Sequence, residues 1–151
     1  MSKCKLFIDM DGVLADFMGA VTTHPDYGNG KDLDELDVFE TLTPIPKSIE
    51  SVNKIIDSGK YDVFILSTAP WGNPKAWMDK RLWIEKYLPI LKKRLILSHY
   101  KDLCCGSDED IIIDDRICNG VERWSGVHLH FGTEYKTWDD ILEKLGLLKS
   151  E

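Results

Sequence analysis

Residues 5–17 read KLFIDMDGVLADF: a short apolar run that ends on Asp9, a second acid at Asp11, and Gly12 immediately after it. The run from Lys5 to Asp9 has the length and apolar density of a strand. Similar runs recur at Tyr61 to Ser67 (YDVFILS), Arg94 to Ser98 (RLILS), Asp110 to Asp114 (DIIID) and Gly126 to Phe131 (GVHLHF). Between them the spacing predicts helices over Val13 to about Thr23, Pro46 to Ser58, Pro74 to about Tyr87, Cys118 to Trp124 and Thr137 to Leu147. Strands that alternate with helices imply a parallel sheet. The near-continuous apolar runs Val63 to Leu66 and Ile111 to Ile113 suit a sheet covered on both faces, so the expected fold is a three-layer α/β/α sandwich. In such folds ligands sit outside the carboxyl ends of the strands, which here end on Asp9, Ser67, Ser98 and the pair Asp114-Asp115.

That list points to chemistry. Asp9 and Asp11 are two residues apart, so in extended backbone both side chains leave the same face, and Gly12 lets the chain turn sharply behind them. A lone D-x-D also suits plain helix capping. Combined with a hydroxyl after the next strand, Lys101 after the third and Asp114-Asp115 after the fourth, it implies carboxylates converging on one crevice. Like charges held that close need a cation. Oxygen-only ligands with room left for water and phosphate favour Mg²⁺ over Ca²⁺.

The chain has 151 residues, with 19 Lys+Arg against 26 Asp+Glu and a formal net charge of −7, which argues against a broad electrostatic grip on a nucleic-acid backbone. Hydrophobic residues at 43% and charged residues at 30% are ordinary for one globular domain and exclude disorder and collagen-like repeats. No apolar run approaches the roughly 18 residues of a membrane span, and the start is too short for a secretory segment, so a cytoplasmic protein is expected. Cys4, Cys104, Cys105 and Cys118 lack the spacing of a zinc site and read as reduced structural thiols.

In the order and spacing of these residues the chain resembles the haloacid dehalogenase superfamily of aspartate-dependent phosphohydrolases, over nearly its whole length. The resemblance implies roles residue by residue. Asp9 falls on the nucleophile, Asp11 on the general acid/base, Ser67 on the motif II hydroxyl, Lys101 on the motif III lysine, and Asp114 and Asp115 on the motif IV acids. Within the superfamily the chain is closer to the 5'(3')-deoxyribonucleotidases, through DMDGVLADF at Asp9 to Phe17, the pattern at Phe39 to Pro46, YDVFILSTAP at Tyr61 to Pro70, and IIIDDR at Ile111 to Arg116. Those enzymes dephosphorylate nucleoside monophosphates, preferring deoxyribonucleotides, in a base pocket lined by aromatics that Phe17 and Phe39 match. The insertion after the first strand, at about residues 18–45, corresponds to a cap shorter than that of better-known members. In the run Ser67-Thr68-Ala69-Pro70, Ser67 follows the strand directly and is the expected phosphate ligand, with Thr68 beside it.

The chemistry expected is stepwise. Asp9 attacks phosphorus, Mg²⁺ held by Asp9, the Asp11 carbonyl and Asp115, with Asp114 beside them, offsets the charge, and Asp11 protonates the leaving alkoxide. Asp11 then takes a proton from the water that opens the aspartyl phosphate. Ser67, Lys101 and backbone amides near Met10 and Thr68 hold the phosphoryl oxygens. Trp71 at the crevice mouth either stacks on a base or packs on its own loop, and Trp77, Trp83 and Tyr87 read as helix packing. His99 and Tyr100 lie on the rim, His128 and His130 read as edge-strand residues rather than metal ligands, and Arg116 either pairs with Asp114 or caps the next helix. The alternatives are a phosphatase for another small phosphomonoester or for a nucleic-acid 3'-phosphate end, a receiver-type signalling domain, whose chain order differs, and a silent nucleotide-binding module. The expected partner is a small-molecule nucleoside monophosphate, with no membrane and no stable nucleic-acid binding, and a homodimer is left open.

Overall fold

Leu6, Phe7 and Ile8 are sealed from solvent on both sides of the first strand, as a strand in the middle of a covered sheet must be. The computed structural model describes residues 3–148. Its strands are β1 (Cys4–Ile8), β2 (Tyr61–Ser67), β3 (Leu95–Leu97), β4 (Ile111–Asp114) and β5 (Val127–His130). They form one sheet in the order β3-β2-β1-β4-β5, with every pair parallel. The chain moves from β1 outward through β2 to β3, then returns across β1 to β4, so the strand order reverses between β1 and β4. A reversal of this kind leaves a crevice at the carboxyl ends of the two flanking strands, and Asp9 and Asp114 stand there.

The helices are α1 (Phe17–Thr22), α2 (Ser48–Asp57), α3 (Pro74–Tyr87) and α4 (Trp138–Lys144). α3 occupies the expected span because Asn73 caps its start by accepting from the Ala76 N–H and Pro74 fits its first turn. α4 starts on a capping box between Thr137 and Asp140. The first helix begins four residues later than the spacing predicts. The Met10 carbonyl collects the N–H groups of Val13, Leu14 and Ala15 at 3.3, 2.8 and 2.9 Å in a tight turn, and Asp16 caps the helix only afterwards by accepting from the Gly19 N–H.

The helix expected over Cys118 to Trp124 is replaced by a 3-10 turn, Val121–Arg123. Asn119 and Gly120 are both left-handed, with φ of 55° and 96°, and two such residues in succession stop a right-handed helix. Leu6, Ile8, Ile65 and Ile113 share one apolar cluster with α2, α3 and α4, while Phe7, Leu66, Ile112 and Val121 form a second, smaller one. The α/β architecture therefore stands, with its third layer built from the 3-10 turns Lys101–Cys104 and Val121–Arg123 and from Trp124 rather than from a long helix. Among the described residues no helix is long and apolar enough to cross a membrane.

Residues 18–45 hold all of α1 but its first residue, and two 3-10 turns, Leu33–Glu35 and Phe39–Thr41. They are fastened to α3 from two sides. The Trp83 indole N–H donates to the Leu42 carbonyl at 2.8 Å, and Lys75 pairs with Asp37, Glu40 and Asp79 at 2.9, 3.1 and 2.7 Å.

At the opposite end of the sheet Asp110 acts as a staple. Its carboxylate accepts from the N–H groups of Lys5, Gly106 and Ser107 at 3.1, 2.8 and 3.1 Å. Burial alone would raise its pKa, but these donors outweigh it and hold the group below the usual carboxylate range. Asp110→Ala leaves the three N–H groups without this acceptor and should lower stability by about 2 to 4 kcal/mol in urea denaturation at pH 7. Because the folded pKa is the lower one, the contribution is present above the unfolded value near 4 and disappears as the pH falls through the folded value, so the difference from wild type should shrink in acid.

Candidate active site

The carboxyl ends of the two central strands carry buried acids. Asp9 follows β1 and is 6% exposed, and Asp114 closes β4 at 2%. The ladder extends one residue past β1, since the Asp9 N–H donates to the Ile113 carbonyl at 2.9 Å, which holds the two acids side by side. Lys101 enters from the 3-10 turn after β3 and is itself 3% exposed. Its Nζ lies 3.1 Å from Asp9 Oδ1 and 2.6 Å from Asp114 Oδ2. The other Asp114 oxygen accepts from the Arg116 backbone N–H at 3.0 Å. Arg116 thus ties Asp114 through its main chain, and its exposed side chain lines the crevice.

Asp9, Asp114 and Asp115 each offer a ligand oxygen, and these atoms lie within 4.8 Å of one another. Asp115 Oδ1 and Asp11 Oδ1 are buried without a hydrogen-bond partner. A buried carboxylate oxygen with no donor is costly, and a second acid beside it makes it costlier. Three carboxylates against Lys101 and the more exposed Arg116 still leave the cluster short of positive charge. The donor set is oxygen alone, so the residues fit a hard divalent cation. Gly12, at φ 79°, is required here, because a Cβ in its place would overlap the Asp115 carboxylate.

The electrostatics follow from this crowding. Burial, then the charges of neighbouring acids, push Asp114 up to about 7 and Asp115 up to about 8. Burial opposes the charge on Lys101, but Asp9 and Asp114 overcome it and hold the ammonium above its ordinary value.

Asp11 points to a different partner. Its Oδ2 is 2.6 Å from Lys80 Nζ, which also donates to Ser67 Oγ at 3.0 Å and sits 5.0 Å over the Phe39 ring. Desolvation raises the Asp11 pKa, and Lys80 partly offsets the rise. Lys80 is fully buried. Sequence reasoning passed over it, although its place on the buried stripe Ala76, Asp79, Lys80, Trp83, Ile84 of α3 was a usable signal, because a lysine there needs a counter-charge inside.

The remaining expected residues divide into walls and supports. A crevice of about 760 Å³ opens above the acids, with Phe17 and Met18 on one side and Pro70 and Trp71 on another. Phe39 does not line it. Phe39 is 1% exposed and stacks behind Phe17 with centroids 5.4 Å apart, because the 3-10 turn that carries it packs on α3. Thr68 lines both the crevice and the small inner pocket shared by Asp9, Asp11 and Lys101, and its hydroxyl donates to the Ser98 carbonyl at 2.7 Å. Ser67 lies beneath at 1% exposure, with its hydroxyl on Lys80.

Trp71 is 82% exposed and meets Trp77 edge-on at 6.1 Å. Trp77 donates its indole N–H to the Pro70 carbonyl and lies 6.1 Å from His99, which lines the crevice, while Tyr100 stands outside it. Trp83 and Tyr87 pack on each other, as the helical spacing predicts.

Comparison with known proteins adds a family and a fold. Residues 31–141 match the family model described as 5' nucleotidase, deoxy (pyrimidine), cytosolic type C protein. A protein of Vibrio phage KVP40, provisionally named 5'(3')-deoxyribonucleotidase, is 40% identical over 149 residues, covering 93% of this chain and 83% of that one. The human mitochondrial 5'(3')-deoxyribonucleotidase is 26% identical over 144 residues, covering 74% of this chain and 62% of its own length. A haloacid dehalogenase-like hydrolase from Burkholderia xenovorans superposes with a TM-score of 0.55 at 11% identity, over 87% of this chain and 85% of its own, a likeness of fold.

Two outcomes are expected. Lys80→Met leaves Asp11 buried without its counter-charge and should cost about 3 to 5 kcal/mol in urea denaturation, part of which Asp11→Asn in the same chain restores. In EDTA, the raised pKa values of Asp114 and Asp115 mean that the native state binds more protons than the unfolded chain between pH 4 and pH 8. Stability should therefore fall as the pH rises through that window, seen as a declining Tm that Asp115→Asn flattens.

Proposed function

The chain belongs to the family of cytosolic type C 5' nucleotidases within the haloacid dehalogenase superfamily, and we propose that it is a magnesium-dependent 5'(3')-deoxyribonucleotidase working through an aspartyl phosphate on Asp9. Membership makes it an enzyme, a phosphoric monoester hydrolase. One observation carries the finer reading: three ligand carboxylates within 4.8 Å at the strand reversal, with a separately anchored acid two residues past Asp9.

Asp9, Asp114, Asp115 and the backbone of Asp11 are the groups that would hold the cation, which supplies positive charge to offset the repulsion between Asp9 and a phosphate dianion. Lys101 fixes Asp9 through Oδ1 and adds a positive charge beside the position the phosphoryl group takes. Asp11 is the acid and then the base. Lys80 holds its Oδ2, leaving the unpartnered Oδ1 to give a proton to the departing sugar oxygen and later to receive one from attacking water. Its raised pKa favours the protonated form that the first step needs. Thr68 lines the floor under the phosphoryl oxygens, while Ser67, buried below it, accepts from Lys80 rather than reaching that floor.

The substrate lies with its phosphate on this floor and its base in the crevice. Phe17, supported by Phe39, forms one wall and Trp71, supported by Trp77, the other, so a flat aromatic base meets apolar faces on both sides. Residues 18–45 act as a small cap within a single domain spanning residues 1–151. The net charge of −7 and Asp32 and Glu35 on the crevice rim disfavour a polynucleotide, which supports a free nucleotide as substrate.

Phosphate release measured over a panel of 5' and 3' ribo- and deoxyribonucleoside monophosphates and sugar phosphates should show turnover of deoxynucleotides with Mg²⁺ and none with EDTA. Asp9→Asn should reduce kcat by roughly a thousandfold or more. Trp71→Ala should raise KM for nucleotides about tenfold while leaving turnover of ribose 5-phosphate unchanged, since stacking on a base is worth about 1 to 3 kcal/mol. Activity confined to sugar phosphates would discard the nucleotide assignment, and a steep salt-dependent affinity for DNA would redirect it to nucleic-acid ends.

A further inference from the structure

β5 carries histidines two residues apart, His128 and His130, so both side chains leave the same face of the sheet. Their rings stack with centroids 5.0 Å apart and planes 26° from parallel. His128 Nε2 is 3.0 Å from the backbone carbonyl oxygen of Asp114, and His130 Nε2 is 3.0 Å from that of Asp115. A carbonyl only accepts, so each Nε2 carries the proton and donates it. The Asp114 carbonyl also accepts from the Phe131 N–H at 3.0 Å, as the ladder between β4 and β5 requires. Asp115 lies past the last paired residue of that ladder. The sheet therefore stops specifying the backbone where the second acid begins, and the imidazoles take over.

We infer that His128 and His130 are positioning residues for the proposed cation site, fixing the backbone of Asp114 and Asp115 through their carbonyls. The inference rests on the reading of Asp9, Asp114 and Asp115 as a cation site. Direction matters because the direction in which a side chain leaves the backbone is set by the peptide planes on either side of it. Three acids gathered within 4.8 Å repel one another, and a loop without external restraint relaxes to separate them. Two donors on a strand of the sheet resist that relaxation and keep the oxygens close before any ion arrives. Neither ring belongs to the group of ligand atoms gathered within 4.8 Å, which is made of Asp9, Asp114 and Asp115. Outer partners of this kind typically change metal affinity by 10- to 100-fold when removed.

The test is a Mn²⁺ titration of the substrate-free protein followed by electron paramagnetic resonance, with Tm in EDTA and turnover against Mg²⁺ concentration measured in parallel. His128→Leu and His130→Leu keep apolar bulk and lose the donor. They should bind Mn²⁺ about tenfold or more weakly and need correspondingly more Mg²⁺ for half-maximal rate, while KM for nucleotide and kcat at saturating Mg²⁺ change little. His→Gln, whose amide reaches the same carbonyl, should restore most of the affinity, and His→Asn, whose amide falls short, should not. That pair keeps the test decisive if a leucine variant fails to fold. Variants that lose Tm but keep wild-type Mn²⁺ affinity would reduce the histidines to packing and overturn the inference. A wild-type protein that binds no Mn²⁺ would overturn the cation reading of the cluster as well, so the two failures are distinguishable.

Discussion

Like charges held close together out of water organise the molecule. Asp9, Asp114 and Asp115 meet at the ends of adjacent strands, and the fold contains what is needed to keep them there. The parallel pairing of β1 with β4 brings the first two into register, the Asp9 N–H extends that pairing by one residue, and Lys101 bridges them from a third element. Gly12 clears the space that Asp115 occupies, and its turn is closed by the carbonyl of Met10 rather than by a helix. Repulsion among these groups is what a stability-minded sequence would remove. That it is retained, and restrained from several sides, is the behaviour expected of a site whose strain serves chemistry.

A second buried cation links the chemistry to the rest of the crevice. Lys80 touches Asp11, Ser67 and the face of Phe39, so one ammonium group connects an acid after β1, a hydroxyl at the end of β2 and the segment after α1. Phe39 in turn supports Phe17, a wall of the crevice. A change in how residues 18–45 pack on α3 must therefore be felt at Asp11 through a chain of two contacts. The proposed acid and the proposed base pocket are mechanically one unit.

Much of this was legible in the sequence, for reasons that differ by element. β2 and α3 were read at their observed bounds because a continuous apolar run, and a helix that starts Asn-Pro, are signals local to a few residues. The carboxylates were legible because strand ends in a parallel sheet converge whatever the side chains. Besides the late start of α1, three things were not. The helix expected over Cys118 to Trp124 was lost to two left-handed residues, of which only the glycine announces itself. Phe39 was assigned to the crevice wall although a buried turn turns it inward, a fact of tertiary packing. Lys80 drew no reading at all, since its partner is 69 residues away in the chain.

The walls of the crevice differ in how they are held, and this bears on selectivity. Pro70, Trp71, Trp77 and His99 form a connected set in which an indole N–H bonds the main chain, Trp71 meets Trp77 edge to face and Trp77 tilts against His99, anchored on α3 and on the loop after β3. Phe17 and Met18 belong to residues 17–45, a stretch with one six-residue helix and two short turns, whose attachment depends on Lys75, Trp83 and Lys80. A short segment with so little structure of its own borrows its shape from α3. The shape of that side of the crevice is thus set less by the length of the segment than by the helix beneath it, so in the proposed reading the inner face of α3 governs the choice of base without touching it.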